Sequence, residues 1–218
     1  MAGQEINQYA TERSELGDLD YMDIDYWTGS VFKTAKIRGS VINGSNGGVW
    51  SQIADSTILQ NSSVETSILG SGVGTLTIPR DTWIVGQSYK FVLSGRISTK
   101  ATNEPFEFWL KSGSTILTFA SLFLELITFG VEGKYFEINL QLTCRAIGGI
   151  GVAVLESQGR IDYVIDTNSA LKTRMLDNKN FTTFDTTIDN TLDLTAKWTT
   201  ADPNNTIQSK MGNFRKTY

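Results

Sequence analysis

Residues 135 to 145 alternate between apolar and polar side chains without exception. Successive side chains of a β-strand point to opposite faces, whereas a helix repeats every ~3.6 residues. The pattern therefore predicts a strand with one face buried and the other in water. The apolar members are Phe136, Ile138, Leu140, Leu142 and Cys144, and the polar members are Glu137, Asn139, Gln141, Thr143 and Arg145.

Shorter stretches of the same kind follow one another along the rest of the chain, separated by Gly, Asn, Asp and Ser. They predict about ten strands, and no long amphipathic helix is indicated. Hydrophobic residues make up 40% of the chain, which is enough for a packed core. The predicted fold class is therefore all-β, with an antiparallel jelly roll or β-sandwich as its main part. The strand candidates lie at 74–79, 89–94, 106–110, 161–165, 192–198 and 206–214.

The N-terminal part predicts a separate small module. Two alternating runs, 21–27 and 31–38, surround the turn signal Thr28-Gly29-Ser30 and are typical of a β-hairpin. The glycine- and asparagine-rich stretch that follows is the strongest linker signal in the chain. We therefore predict an attachment module at residues 1–42, a linker at 43–50 and the jelly-roll sandwich at 51–218.

Several function classes are disfavoured by composition. The chain has no histidine, which removes the Ser-His-Asp triad and most zinc, copper and iron sites. The net charge is −4 and no basic patch is interleaved with aromatics, which argues against nucleic-acid binding. The N-terminus shows no signal peptide, and no apolar run is long enough to insert in a membrane. We expect no cofactor and no metal.

Four aspartates, Asp18, Asp20, Asp23 and Asp25, lie among aromatics in the first strand region. An EF-hand loop needs oxygen ligands at fixed positions and a glycine at the sixth, and neither window starting at Asp18 or Asp23 provides them. A glycosidase needs two carboxylates facing each other across a sugar. Asp23 and Asp25 lie on one strand face, so a solvated strand surface is the favoured interpretation.

Other chemistry-bearing residues have structural interpretations. Cys144 lies on the apolar face of its strand and has no histidine to activate it, so a buried structural thiol is favoured. A glycan hydrolase would have to draw its carboxylates from Glu156, Asp162 and Asp166, which lie near one predicted hairpin. Four tryptophans outside the N-terminal module could stack on sugars, although filling the core or an interface is the favoured role for them. These are Trp50, Trp83, Trp109 and Trp198.

The apolar run from Leu122 to Phe129 predicts either a strand buried on both faces or a strand buried between subunits. It exceeds what one face of a sandwich requires, and contiguous apolar surface is normally buried in a partner. We therefore predict a homotrimer. The candidate interface residues are Leu122, Phe123, Leu124, Leu126 and Phe129.

Residues 16–42, LGDLDYMDIDYWTGSVFKTAKIRGSVI, resemble the N-terminal module of tailed-bacteriophage fibre and spike proteins. The first strand of that module matches Asp20, Tyr21, Asp23, Asp25 and Tyr26, and the second matches Thr34, Lys36, Ile37 and Ser40. Residues 74–99 are similar to the opening of tumour-necrosis-factor-like jelly rolls in phage tip domains, and residues 195–214 to their last hairpin. Among such proteins the chain resembles the head-fibre trimer proteins of crAss-like phages.

The resemblance implies a non-enzymatic structural protein of the virion, made in the host cytoplasm and assembled as a homotrimeric fibre or spike. The N-terminal module would be fixed to the capsid or another virion protein, and the jelly roll would lie outside, in a position to contact host surface glycans. It supplies no catalytic residues. The alternative is a carbohydrate-binding or glycan-hydrolysing sandwich. The docking candidates are Asp20, Tyr21, Asp23, Asp25, Tyr26 and Trp27.

Overall fold

The computed structural model describes residues 21–27, 32–38, 49–100, 104–124, 133–165, 170–178 and 184–217. For 21–27, 32–38, 119–121, 123 and 177–178 it describes the backbone alone. The chain divides into two compact units, Met1–Gly47 and Gly48–Tyr218. In both units, the regular structure of the described residues is β-strand without helix.

The N-terminal unit contains an antiparallel strand pair, β1 (Tyr21–Trp27) and β2 (Phe32–Arg38). Each strand keeps one register over its whole length, so the two alternating runs pair as the sequence predicts.

The described residues of the second unit form thirteen strands arranged in antiparallel pairs. Eight of them are long, and the short ones lie in the first part of the unit. The strands are β3 (Trp50–Gln52), β4 (Leu59–Gln60), β5 (Thr66–Ser67), β6 (Gly72–Gly74), β7 (Thr77–Ile78), β8 (Ser88–Ser98), β9 (Glu104–Ser112), β10 (Thr115–Leu124), β11 (Lys134–Ala146), β12 (Val154–Val164), β13 (Leu171–Asn178), β14 (Asn190–Trp198) and β15 (Thr206–Lys216).

The strand order is that of a jelly roll. The first sheet contains the order β3-β15-β8-β11, and the second contains β5-β14-β9-β10. Strands that are neighbours in a sheet are thus often far apart in the sequence, as in two nested Greek keys. The two antiparallel sheets pack face to face over one hydrophobic core, which confirms the predicted sandwich.

The hairpin β12–β13 is an addition to this jelly-roll order. It extends the first sheet, because β12 pairs with β11 and β13 pairs with β12 along Leu171–Leu176. The last two residues of β13 then pair with Thr118 and Phe119 of β10 in the second sheet. One strand therefore joins the two sheets along one side of the sandwich.

Aromatic side chains fill much of the core. Tyr89 stacks on Phe214 with ring centroids 4.9 Å apart, and Phe91 lies 5.7 Å from the same ring. Trp83 makes edge-on contacts with Tyr89 and Phe184. Three of the four tryptophans considered as sugar platforms are thus accounted for by the core, namely Trp50, Trp83 and Trp198.

Two sequence interpretations need correction. The sandwich begins inside the range predicted as linker, because Val49 donates a hydrogen bond to the Phe214 carbonyl (3.0 Å) and Trp50 is buried in β3. In β10, Leu122 and Leu124 are buried in the core of a single chain. Since these two side chains are already covered, they do not need a partner. Phe123 is described only by its backbone, and Leu126 and Phe129 lie outside the described residues.

The position of Trp50 leads to a prediction about truncation. A chain starting at Gly48 should keep a cooperative thermal transition, since it retains all of β3. A chain starting at Gln52 loses the buried indole and should be less stable by about 3–5 kcal/mol. Denaturant titration of the two truncated chains measures the difference, and equal midpoints would contradict the assignment of Trp50 to the core.

Candidate interaction sites

In the N-terminal unit, the backbone register of the strand pair places the two aspartates of β1 opposite different kinds of residue. In its register Asp23 lies opposite Lys36 and Tyr21 opposite Arg38, whereas Asp25 lies opposite the neutral Thr34. Opposite charges on directly facing residues attract, by roughly 0.2–1 kcal/mol for each pair. Of the two aspartates in β1, Asp25 is therefore the one without a basic residue directly across the ladder. Tyr26 and Trp27 face Lys33 and Phe32, and Asp20 lies outside the described residues.

The outer face of the first sheet carries two carboxylates on neighbouring strands. Glu137 of β11 lies directly opposite Asp162 of β12. Arg160 Nε lies 2.8 Å from Asp162 Oδ2, and Thr173 donates a hydrogen bond of 2.5 Å to Asp162 Oδ1. Asp162 is 9% exposed. It is therefore a well-partnered carboxylate at the surface of the sheet.

Glu137 accepts hydrogen bonds from two neighbours on its own strand. Tyr135 donates its phenolic O–H to Glu137 Oε2 at 2.6 Å, and Asn139 donates from its side-chain amide to Oε1. Burial, the bond to Glu137 and the nearby negative charges of Glu137 and Asp162 raise the pKa of Tyr135 to about 12. The phenol consequently stays a hydrogen-bond donor to high pH. Together these groups form a polar row, which we call the Glu137 row (Tyr135, Glu137, Asn139, Arg160 and Asp162).

The outer face of the second sheet carries a second network. Glu65 Oε1 accepts hydrogen bonds from Lys111 Nζ at 2.8 Å and from Thr195 Oγ1 at 2.7 Å. Ser67 donates to Asp193 Oδ1 at 2.6 Å, and Asp193 lies opposite Lys111 in the sheet. This network ties the segment around β5 to β9 and β14.

Trp109 belongs to this second face rather than to the central core. Lys197 Nζ lies 5.4 Å from the centre of its ring, within the range of a cation–π contact. The same ammonium group lies 2.8 Å from Glu107 Oε2. The indole is 8% exposed, so little of it is available for stacking on a sugar.

Glu65 and Asp193 should affect stability in opposite directions. Burial raises the pKa of Glu65, but bonds from Lys111 and Thr195 and nearby positive charge outweigh it and leave the pKa lowered. Burial is also the largest influence on Asp193, and the pKa of Asp193 stays raised despite the bond from Ser67. A carboxyl group whose pKa is lowered in the folded protein stabilises the fold at pH values above its unfolded-state pKa, and this gain is lost at acid pH. A carboxyl group whose pKa is raised in the folded protein destabilises the fold at neutral pH.

We therefore expect Glu65→Gln to lower stability at pH 7, by less than about 1 kcal/mol because the group is exposed. Asp193→Asn should leave stability equal or higher at the same pH. Both differences should shrink as the pH falls through the folded-state pKa of the respective carboxyl group. Urea titrations between pH 3 and 7 test this, and loss of stability in Asp193→Asn at pH 7 would contradict it.

The two described carboxylates among those suggested for a hydrolase lie apart. Asp162 lies in the Glu137 row, Glu156 lies further along β12 opposite Thr143, and Asp166 lies outside the described residues. Glu137 was not selected from the sequence, although its outward position in the alternating run was visible. The Cys144 thiol is fully buried and its pKa is raised by burial, which disfavours a thiolate nucleophile.

The described residues lack two further kinds of feature. No group of three or more aspartate, glutamate or cysteine side chains there could hold a metal ion. No helix that could cross a membrane is found in the same part of the chain.

Comparison with protein-family models, with curated proteins and with solved structures found no match. The fold therefore defines this chain as an all-β protein with a jelly roll and an N-terminal strand pair.

Proposed function

We propose that this protein is a non-enzymatic structural protein of a tailed-phage virion, a short homotrimeric head fibre or spike. Its N-terminal unit would dock on the capsid or another virion protein, and the jelly roll would be displayed outside. The supporting observation is the two-part organisation, in which a small strand pair with aspartates and aromatics precedes a jelly roll as a separate unit. That organisation is the one implied by the resemblance of residues 16–42 and 74–99 to fibre proteins.

Docking by the hairpin depends on charge and on desolvated aromatics. Asp25 has no cation directly opposite it, so a basic or amide-rich partner surface gains most from this residue. Tyr21, Tyr26 and Trp27 would supply the apolar anchors that charges alone do not.

The experiment compares two conservative variants in assembled particles. Asp25→Asn should reduce the amount of protein in purified virions more than Asp23→Asn, because Lys36 already offsets Asp23 in the hairpin. Quantitative mass spectrometry of the particles measures this. Absence of the wild-type chain from particles would refute the virion proposal. Equal incorporation of both variants and the wild type would refute the role of the charges.

A carbohydrate-binding surface is the second candidate, and the Glu137 row favours it. The row presents a phenol, an amide, a guanidinium group and the Glu137 carboxylate on a sheet face, which are groups that hydrogen-bond sugar hydroxyls, while the buried Asp162 holds Arg160 in place. A glycan array with the wild type and with Asn139→Ala and Arg160→Ala tests it. Glycan binding that is lost in both variants would support this candidate, and an array without binding would remove it.

A further inference from the structure

One end of the jelly roll exposes six aliphatic side chains on three loops. Each of them is between 50% and 69% exposed. The loops connect β7 to β8, β11 to β12, and β13 to β14. We call this surface the apolar end, and its residues are Ile84, Val85, Ile147, Ile150, Val152 and Ile188.

The three loops are neighbours in space. Gly86 N–H donates to the Cys144 carbonyl at 2.8 Å, which holds the first loop against the end of β11, where the second loop begins. Thr186 N–H donates to the Gly148 carbonyl at 2.9 Å, and Gly148 N–H donates to Thr186 Oγ1 at 2.8 Å, which joins the second to the third. Asp81 N–H donates to the Thr186 carbonyl at 3.0 Å and closes the set. The six side chains therefore belong to one surface rather than to scattered positions.

The core beneath these loops already has its own apolar residues. Trp83, Ala153 and Phe184 come from the same three loops and are 1–2% exposed. Trp83 and Phe184 pack edge-on with ring centroids 5.4 Å apart. The outward aliphatic residues are thus additional to what the core requires. Clusters of this kind on soluble domains are normally covered by a partner.

The charges around the apolar end are divided between two sides. The loops carry the carboxylates Asp81, Asp185 and Asp189, and Asp189 lies 4.0 Å from Arg80. The adjoining ends of the first-sheet strands carry an excess of basic residues, with Lys90 of β8, Arg145 of β11 and Arg215 and Lys216 of β15 against Glu156 of β12. An apolar centre with an acidic side and a basic side is complementary to another copy of itself after rotation.

We propose that the apolar end is the surface through which copies of this chain associate. The proposal rests on the proposed function in taking the partner to be another copy of the chain. The apolar end takes the place of Leu122 and Leu124 as the interface between copies, because the single chain already buries those two side chains. In a rotationally symmetric assembly the acidic side of each copy would meet the basic side of the next, and the aliphatic residues would pack around the axis.

The path of the chain agrees with such an arrangement. Val49 N–H bonds to the Phe214 carbonyl, and Thr217 N–H bonds to the Ser88 carbonyl at 2.9 Å, so β3 begins and β15 ends at the apolar end. Copies joined there would have the first residues of their β3 strands close together.

The test uses the full-length chain and two variants of matched chemistry. Val85→Asp with Ile150→Asp places a carboxylate on two of the loops, at residues that are 62% and 69% exposed. Leu171→Asp with Met175→Asp is the control, since those residues are 61% and 70% exposed but lie on the outer face of β13. Circular dichroism melting of all three proteins establishes that each is folded.

Sedimentation velocity at micromolar concentration gives the outcome. The wild type and the control should sediment as an oligomer, and the loop variant should sediment at the 24.1 kDa of one chain. The dissociation constant of the loop variant should rise by about a hundredfold or more, since the new carboxylates would be buried against apolar groups. The assembly should persist in about 1 M salt, where exposed ion pairs are screened.

A wild type that sediments as a single chain would overturn the proposal. So would a folded loop variant that stays oligomeric, or a control that dissociates as far as the loop variant. A single-chain wild type would also remove the homotrimer from the proposed function, whereas the other two results leave the homotrimer in place and concern only the surface. The virion location is decided separately, by whether the chain is found in purified particles.

Discussion

Phe214→Ala is expected to lower the free energy of unfolding of the jelly roll by about 3–5 kcal/mol, the range for removing a buried aromatic ring. Phe214 is fully buried in β15 and contacts the rings of Tyr89 and Phe91. Its backbone also pairs with Trp50 on one side and Phe91 on the other. The cavity would therefore open between three strands that are distant in sequence.

Guanidinium titration followed by tryptophan fluorescence measures the loss. Met211→Ala on the same strand is the control, because Met211 is 65% exposed and should change stability by less than about 0.5 kcal/mol. Similar midpoints for Phe214→Ala and Met211→Ala would contradict the core assignment.

Gly95→Ala is expected to cost at least about 3 kcal/mol, at the upper end of what overpacking causes. A Cβ on Gly95 would lie 2.0 Å from the Gln208 carbonyl oxygen and 2.8 Å from the Ser209 Cα. Both atoms belong to the backbone of β15, next to the irregularity between Ser209 and Met211. The strand would have to move away from β8.

Such a shift would also break the polar contacts of Ser209. Its N–H donates to Ser56 Oγ at 2.9 Å, and its hydroxyl donates to Gln52 Oε1 at 3.1 Å. Gly149→Ala is the matched control, since a Cβ there meets no atom within 4 Å. Thermal melts of the two alanine variants test the pair. A Gly95→Ala protein that melts with the wild type would show that β15 does not approach β8 as closely as described.

The alternating pattern predicted strands and their buried faces well, because period-two alternation is a local property. Phe136, Ile138, Leu140, Leu142 and Cys144 are all buried along β11, as the sequence predicts. The strict run also assigned Glu137 and Asn139 to the outward face, where the Glu137 row forms. No knowledge of the partner strands was needed for either conclusion.

The contacts between strands could not be predicted in the same way. Glu65 and Lys111 are 46 residues apart in the chain, and they meet because the segment around β5 packs beside β9 and β14. Likewise, Glu137 faces Asp162 only in the register that β11 and β12 adopt, and a slip of one residue would separate them. Pairing register is a property of the whole sheet, so composition and spacing leave it open.

The run beginning at Leu122 was misleading for a related reason. Its apolar residues exceeded what one sandwich face was expected to bury, which suggested a subunit interface. In the structure Leu122 and Leu124 follow the two-residue period of β10 and are both covered by the core of their own chain. The first three residues of this run are all apolar and show no alternation, so the sequence gives no sign of which of them face inward, and burial within one chain and burial between chains look alike.

The strand that joins the two sheets has a consequence for how the protein behaves when many copies are crowded together. β13 pairs with β12 along six residues and with β10 at two, so it covers part of the edge of each long strand, where unpaired backbone N–H and C=O groups are templates for pairing with another chain. On the opposite side, the strand orders end at β5 and β6, of two and three residues. Short edges of this kind offer few hydrogen bonds to a foreign strand. Edge-to-edge aggregation is thus resisted by covering on one side and by shortness on the other.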